Sequence, residues 1–354
     1  MNLRTYAANL TKLARQDRHL HPGVVIYYVT GQCNLNCAYC EDFGARRNPA
    51  SDLPLPLDQA RRILGIIRNG CDALWLTGGE PLTHPEIDAL IACAKRDLRF
   101  REVTLITNGT LLPRHEAALL YVDRLVISLD STDPAAWSQT IGAPSAVAES
   151  ILHNVRTYAA RQRHFGYQMV LNVVLAPETL PGAQAVLDFC RQQHILVSFS
   201  PQAINNWPRY ELTVSNEYTQ FIEDLIRLKK QGAPILGSED YLRTLAAFQP
   251  YDCTPTLVPR IYPNGDLAYP CRPLEKADNG QGGRPVNLLH VDTWEEAWSA
   301  AYAAYGPPPR TCHSCFQQCY AEPSLMQARP LSLLWEVIRY PASRKGGLIT
   351  YAPG

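Results

Sequence analysis

Short apolar segments alternate with longer amphipathic stretches over the first 200 residues of the chain. The short segments are near-continuous runs of Val, Ile and Leu, which is typical of parallel strands buried on both faces. The longer stretches carry apolar residues at helical spacing. The pattern predicts strands at 24–30, 73–77, 102–107, 124–130, 169–175 and 195–200. It predicts helices at 57–68, at 85–96, from about 114, at 147–161 and at 183–193.

Such an alternation predicts a parallel sheet built from right-handed βαβ units. A closed barrel of eight repeats typically needs about 250 residues, whereas six repeats occupy residues 24–200 here. We therefore expect an α/β fold with a partial (β/α)6 TIM-like barrel. Ligands of parallel α/β sheets bind at the carboxyl ends of the strands, so functional residues are expected there.

The pattern changes after residue 201. Helices are predicted at 217–231, 238–248 and 293–302, and the region from 251 onwards is rich in Pro and Cys. Asn264-Gly265 predicts a hairpin between strands at 258–262 and 267–269. We expect four regions: an N-terminal helix (1–22), the barrel (23–205), a helical connection (206–250) and a small C-terminal α+β domain (251–354).

The charge balance and hydropathy restrict the partners of the chain. Lys plus Arg and Asp plus Glu are equal at 33 each, which gives no electrostatic argument for nucleic acid. The sequence has no run of about 18 apolar residues, and residues 1–20 lack the pattern of a signal peptide. We expect a cytoplasmic protein without membrane contact. The amphipathic segments near the N-terminus and at 331–340 are expected to dock on the protein itself.

Eight of the eleven cysteines fall into two groups. In a reducing compartment, closely spaced cysteines indicate metal or cluster ligands and not disulfides. Cys71, Cys93 and Cys190 stand alone in apolar surroundings and are expected to be inert core thiols.

Cys33, Cys37 and Cys40 follow the first predicted strand directly. Three thiolates at these spacings can bind one face of a 4Fe–4S cluster. Three protein ligands leave one iron open, as a metal that binds a small molecule requires. A structural zinc site is the alternative, but it needs a fourth ligand, and Cys71 stands at no usual zinc spacing.

With Tyr39 before its last cysteine, this segment resembles the CxxxCxΦC signature of the radical S-adenosylmethionine (SAM) superfamily. The resemblance implies that the open iron chelates the amino and carboxylate groups of SAM. It implies reductive cleavage of SAM to a 5′-deoxyadenosyl radical, which abstracts hydrogen from a substrate or adds to it. An external electron donor such as flavodoxin or ferredoxin is implied as well.

Further strand ends resemble SAM-binding segments of the same superfamily. Gly78-Gly79-Glu80 stands where the GGE motif occurs, and its glycines allow close backbone approach. Thr107-Asn108-Gly109 and Ser128-Leu129-Asp130 are similar to segments of related barrels, with helix capping as the alternative. No Arg for the SAM carboxylate occurs between Asp130 and Val155. The resemblance implies a SAM site made of Tyr39, Gly78, Gly79, Glu80, Asn108, Ser128, Asp130, Asn172 and Val173.

A second group of cysteines lies in the C-terminal region. Two of them flank the predicted hairpin and three follow it, an arrangement suited to a second metal centre or to a zinc ribbon. It resembles the "twitch" and "SPASM" auxiliary-cluster domains of radical SAM enzymes, which implies one further 4Fe–4S cluster. Four of five cysteines would bind it: Cys253, Cys271, Cys312, Cys315 and Cys319. The first four fit the twitch spacing best, and Cys319 is an alternative ligand or spare.

The sequence therefore predicts a radical SAM oxidoreductase or transferase that modifies a peptide or small molecule by hydrogen abstraction. Residues 312–320 also resemble adenosylhopane-forming radical SAM enzymes, which implies adenosyl-radical addition to a terpenoid or lipid as an alternative. A non-catalytic iron–sulfur or zinc protein is the third possibility. The pattern identifies no catalytic acid or base, and Tyr320, Glu322 and the loop 202–206 are expected to be plain surface more often than substrate contacts.

Overall fold

The strands and helices come from a computed structural model that describes residues 2–41, 53–204, 207–276, 280–309 and 315–340. Its strands are β1 (Val25–Thr30), β2 (Ala73–Gly78), β3 (Glu102–Thr107), β4 (Arg124–Ser128), β5 (Gln168–Leu175), β6 (Leu196–Pro201), β7 (Ala203–Ile204), β8 (Trp207–Pro208), β9 (Arg260–Ile261), β10 (Asp266–Tyr269) and β11 (Gly283–Asn287). Its helices are α1 (Leu3–Ala14), α2 (Leu57–Gly70), α3 (Ile87–Ala92), α4 (Pro134–Ile141), α5 (Ser145–Ala160), α6 (Gln162–Phe165), α7 (Leu180–Gln193), α8 (Tyr210–Thr213), α9 (Asn216–Lys230), α10 (Glu239–Ala247), α11 (Arg272–Glu275), α12 (Trp294–Tyr305), α13 (Gln318–Ala328) and α14 (Pro330–Arg339).

Strands β1 to β6 form the predicted partial barrel. Each pairs in parallel with the next along the chain, and every residue of β1 and β6 is buried. This burial explains their apolar composition, because helices cover one face of the strands and the barrel interior the other. The sheet does not close on itself: residues 234–236 cover the outer edge of β6, where the Val197 N–H donates to the Pro234 carbonyl at 2.9 Å.

The C-terminal hairpin extends the same sheet beyond β1. Gly265 takes a φ of +91° in the turn between β9 and β10, a conformation that glycine adopts at little cost. Strand β9 pairs in parallel with β1, with Arg260 opposite Ile26, and β10 and β11 add two antiparallel strands. The pairing brings the C-terminal cysteine region against the barrel. The four domain boundaries stay predictions.

One predicted helix has a different form in the structure, and several helices, among them α4 and α13, were not predicted. The helix expected from about residue 114 is a pair of short 3-10 helices, Leu112–Arg114 and Glu116–Tyr121, because Pro113 lacks the N–H that an α-helical ladder requires. Helix α4 was not predicted, since its eight residues are too few to show a clear apolar period. The start of α4 has the residues typical of a helix N-terminus: the Asp133 side chain accepts from the Ala135 N–H, and Pro134 is the first residue of the helix.

The N-terminal helix docks on the protein. The Tyr6 hydroxyl donates to the Met326 carbonyl at 3.0 Å, which fixes α1 against α13. Within the described ranges, no helix combines the length and the apolar character needed to cross a bilayer.

Candidate active site

A cavity of about 300 Å³ opens at the carboxyl ends of the barrel strands. Cys33, Cys37 and Cys40 all line it, and they come from the loop after β1 that the sequence indicated. Of the residues predicted to bind SAM, six line the same cavity: Tyr39, Gly78, Gly79, Asn108, Ser128 and Asn172. Glu80, Asp130 and Val173 do not line it.

The cysteine loop is held from one side by the end of α4. The Asn36 N–H donates to the Ile141 carbonyl at 3.1 Å, and the Ala38 N–H donates to the Thr140 carbonyl at 2.8 Å. Gly142 ends the helix in the left-handed region, where a Cβ would stand 2.6 Å from the Asn36 oxygen. The helix that the sequence pattern missed thus fixes the backbone on both sides of Cys37.

The two glycines after β2 hold the loop from the other side. The Gly79 N–H donates to the Thr30 carbonyl at 2.9 Å, and the Glu80 N–H donates to the Gln32 carbonyl at 2.8 Å. A Cβ on Gly79 would stand 2.2 Å from the Gln32 oxygen. Glycine is therefore required here by the approach of the cysteine loop itself, in addition to any approach of a ligand.

Glu80 is fully buried and joins the ends of β2 and β3. One carboxylate oxygen accepts from the Leu82 N–H at 3.0 Å and the Thr107 hydroxyl at 2.7 Å, and the other accepts from the Asn108 N–H at 2.7 Å. Burial raises the pKa of Glu80 to about 7, although these hydrogen bonds act in the opposite direction. Its side chain is engaged with the protein, so it shapes the cavity from beneath.

Asn108 connects the end of β3 to the cysteine loop. Its side-chain nitrogen donates to the side-chain oxygen of Asn34 at 2.8 Å, and its own side-chain oxygen accepts from the Thr110 N–H at 3.0 Å. Asn108 therefore helps to position the loop while it lines the cavity.

Asp130 is buried behind Tyr39. One of its oxygens accepts from the Tyr39 hydroxyl at 2.5 Å, and the other accepts from the Val174 N–H at 2.8 Å. Burial raises the pKa of Asp130 to about 6. The carboxylate orients the aromatic residue of the cysteine motif.

Strand β5 presents alternate residues to the cavity. Asn172 and Val174 line it, whereas Val173 lies between them and is buried elsewhere, as the two-residue period of a strand requires. The Asn172 side-chain oxygen accepts from the Ser198 hydroxyl at 2.9 Å, which fixes the amide.

Part of the cavity lining, called the basic wall below, carries three cationic side chains, and sequence reasoning missed it. Arg260, Arg272 and Lys276 line the cavity, and Glu41 is the one acidic side chain among the described lining residues. These cations belong to β9, to α11 and to the residue that follows α11. No local motif marks them, since the pairing of β9 with β1 joins parts of the chain more than 200 residues apart.

The donor chemistry of the three cysteines fits a cluster. Burial raises the pKa of Cys33 to about 11 and that of Cys37 to about 12, so binding must release protons from these thiols. Among the residues with described positions, no three His, Cys, Asp or Glu side chains converge closely enough for a single metal ion. Three thiols that border one cavity match the donor set of a 4Fe–4S cluster with three protein ligands.

The C-terminal cysteines form a second, buried group. Cys253, Cys271, Cys315 and Cys319 are all buried, and Cys312 lies outside the described residues. Burial raises the pKa of Cys315, and the neighbouring Cys319 and Cys271 raise it further. Cys253 lies beside α13, with its sulfur 3.9 Å from the Ser324 hydroxyl.

Tyr320 and Glu322 are buried in α13, so the expectation of plain surface was wrong for both. The Glu322 carboxylate accepts from the Ser238 N–H at 2.6 Å and the Gln318 side-chain amide at 2.7 Å. In the loop after β6, Gln202 and Ala203 line the cavity, and residues 205–206 lie outside the described ranges. Cys71, Cys93 and Cys190 are buried in the core, as expected.

Known structures share this architecture. SuiB of Streptococcus suis bound to the precursor peptide SuiA matches with a TM-score of 0.63 and 20% identity, over 84% of this chain and 69% of that one. SuiB has also been solved bound to S-adenosylmethionine. The enzyme anSMEcpe with bound AdoMet and Kp18Cys peptide matches with a TM-score of 0.59 and 13% identity, over 90% of this chain and 98% of that one. At these identities the matches show the fold, which is the partial barrel with its C-terminal extension.

Sequence relatives match the barrel region. GTP 3',8-cyclase 2 of Mycobacterium tuberculosis is 30% identical over 217 residues, which are 58% of this chain and 58% of that protein. A probable GTP 3',8-cyclase of Methanococcus aeolicus is 24% identical over 173 residues, which are 48% of this chain and 56% of that protein. The chain thus spans little more than half the length of these curated relatives.

Residues 27–190 match the sequence model of the radical SAM superfamily. That match begins within β1 and takes in the cysteine loop and the carboxyl ends of β2 to β5, where the cavity opens. The chain therefore contains a domain of the radical SAM superfamily at residues 27–190.

Proposed function

We propose that the chain cleaves SAM reductively at a 4Fe–4S cluster held by Cys33, Cys37 and Cys40. The radical then abstracts a hydrogen atom from a substrate in the same cavity. One observation carries this proposal: three cysteines of the family signature open into one cavity with polar residues from the ends of β3 and β4 and from β5. The space beside the cysteines is therefore also the space available to SAM and substrate.

Membership of the superfamily implies a 4Fe–4S cluster and SAM. When bound and reduced, the cluster supplies the electron that cleaves SAM to methionine and the 5′-deoxyadenosyl radical. The chain holds the three thiols at fixed positions through α4 and the double glycine. Asn108, Ser128 and Asn172 offer hydrogen-bonding groups to the polar parts of SAM, since all three line the cavity.

The substrate that fits the cavity is a peptide or small molecule with a carboxylate or phosphate group. Arg260, Arg272 and Lys276 give the cavity lining a net positive charge, and such side chains bind anionic oxygens through charge-assisted hydrogen bonds. The names of the relatives favour a nucleotide such as GTP, and the structural neighbour solved with a precursor peptide favours a peptide. A nucleotide offers phosphate groups to the basic side chains, and a peptide offers carboxylates.

We further propose that four of the five C-terminal cysteines hold an auxiliary 4Fe–4S cluster. The burial of Cys253, Cys271, Cys315 and Cys319 supports this proposal, and Cys319 accepts a hydrogen bond from Arg260, which lines the cavity. A cluster held there would accept an electron, bind substrate or stabilise the fold.

Anaerobically reconstituted protein should be incubated with dithionite and SAM, and 5′-deoxyadenosine should be measured with three candidate substrates: GTP, a library of acidic peptides and polyprenyl lipids. Stimulation by GTP or by peptides supports the anionic class, and dependence on the lipid alone favours the terpenoid alternative. If neither SAM cleavage nor iron binding occurs with any of them, the proposed chemistry is wrong.

A further inference from the structure

Arg260 lies between the cavity and the C-terminal cysteines. It is only 3% exposed, and it lines the cavity from β9. One terminal nitrogen donates to the Cys319 sulfur at 2.9 Å and to the Gln317 side-chain oxygen at 3.4 Å, and the other donates to the Tyr28 hydroxyl. One guanidinium therefore contacts both the wall of the cavity and a predicted cluster ligand.

The charge of Arg260 has no carboxylate partner among the described residues. Its neighbours are the hydroxyl, amide and thiol named above and two aromatic rings, with the guanidinium carbon 5.9 Å from the Tyr28 ring centre and 4.9 Å from that of Tyr320. Its Nε–H is buried, and the described part of the chain offers it no hydrogen-bond acceptor. A buried cation needs compensating negative charge and satisfied donors, and a cluster with thiolate ligands supplies both beside Cys319.

We infer that Arg260 is a positioning residue that supplies positive charge and N–H donors to the auxiliary cysteine site, and that it thereby raises the reduction potential of the cluster there. This inference rests on the auxiliary cluster proposed above. Reduction adds one negative charge to a cluster, so a neighbouring cation and N–H···S hydrogen bonds stabilise the reduced form. Cys319 is consequently part of that site and not a spare cysteine.

Arg260→Gln and Arg260→Lys test the inference in the full-length, reconstituted protein. The readout is a redox titration of the auxiliary cluster, followed by electron paramagnetic resonance. At a fixed potential, we expect the ratio of reduced to oxidised cluster to fall about tenfold or more in Arg260→Gln. The loss should be smaller in Arg260→Lys, which keeps the charge but not the planar set of donors.

Arg284→Gln is the matched control. Arg284 belongs to the same C-terminal region, where it donates to Glu275 at 2.8 Å and stacks on Tyr262, so its replacement should leave the titration unchanged. An unchanged reduction potential in both Arg260 variants with full iron content would overturn the inference. If Arg260→Gln fails to retain iron, the inference is tested by Arg260→Lys, and an unchanged potential in that variant would overturn it. Wild-type protein with only about four irons would instead refute the auxiliary cluster, and this inference with it, while leaving SAM cleavage intact.

Discussion

The Tyr39 hydroxyl donates a 2.5 Å hydrogen bond to Asp130. The contact joins the last turn of the cysteine loop to the residues that follow β4, so the motif aromatic is anchored by the barrel. Asp130 in turn accepts from the backbone of β5 at Val174. The Asp130 carboxylate therefore links the cysteine loop, the end of β4 and strand β5.

Tyr39→Phe should loosen this anchor without disturbing the barrel. A buried carboxylate that loses a hydrogen-bond donor costs about 1–3 kcal/mol, so the free energy of unfolding should fall by about that amount. The KM for SAM should rise, because the loop that carries Cys37 and Cys40 is less fixed. Urea denaturation and SAM-dependent formation of 5′-deoxyadenosine measure the two effects. Unchanged stability and KM would show that the hydrogen bond has no positioning role.

Gly79→Ala should disrupt the cysteine loop. The added Cβ meets the Gln32 oxygen at 2.2 Å, so backbone must move, and we expect a loss of about 2 kcal/mol or more in stability together with lower iron retention. Gly65→Ala is the control, because Gly65 lies in α2 with no neighbouring atom within 4 Å. That change should stabilise the helix by about 0.5–1 kcal/mol. Equal iron retention in both variants would contradict the proposed packing.

Glu80 should make stability depend on pH in a defined direction. Its pKa is raised from 4.5 to about 7, so folding favours its protonated form. The contribution of Glu80 to the free energy of unfolding is full below pH 4.5 and is lost as the pH rises towards 7. The free energy of unfolding then falls by at most about 1.4 kcal/mol per pH unit. The pKa of Asp130 is raised from 3.8 to about 6, so this residue also lowers the free energy of unfolding as the pH rises through that range.

Urea denaturation of wild type and Glu80→Gln from pH 4.5 to 7.5 tests this dependence. The difference in unfolding free energy between the two should shift in favour of the variant as the pH rises. Glu149→Gln, at an exposed position on α5, should follow the wild-type curve. Parallel curves for wild type and Glu80→Gln would contradict the raised pKa.

Arg272→Gln and Lys276→Gln should weaken the binding of an anionic substrate. Each removes one charge from the cavity wall, and a charge-assisted hydrogen bond is worth about 1.5–3 kcal/mol, so KM should rise about tenfold or more with a smaller effect on kcat. Arg284→Gln should change neither value. Steady-state kinetics with the substrate that stimulates 5′-deoxyadenosine formation provide the measurement. An unchanged KM in both variants would exclude the basic wall as a substrate contact.

The sequence predicted the strand order and the three cysteines because both are local. Each strand pairs with the next along the chain, and Cys33, Cys37 and Cys40 share one loop directly after β1. The period of β5 would also have separated Asn172 from Val173, since adjacent residues of a strand face opposite sides. The hydrogen bonds of Glu80 and Asp130 to the protein could not be predicted from the sequence, because a motif identifies a position without showing which way its side chain points.

The basic wall could not be predicted from the sequence for a different reason. Arg260 reaches the cavity only because β9 pairs with β1, and no periodicity in the sequence specifies a pairing over that distance. Burial of Tyr320 and Glu322 likewise follows from the position of α13 beneath the hairpin and α10, which tertiary packing decides.

The central claim is that Cys33, Cys37 and Cys40 hold the cluster that cleaves SAM. Wild type, Cys33→Ala and Cys71→Ala should be reconstituted anaerobically, reduced with dithionite and supplied with SAM, with 5′-deoxyadenosine as the readout. Wild type and Cys71→Ala, which alters a core thiol, should both release 5′-deoxyadenosine, and Cys33→Ala should release none. Release of 5′-deoxyadenosine by Cys33→Ala at the wild-type rate would contradict the account.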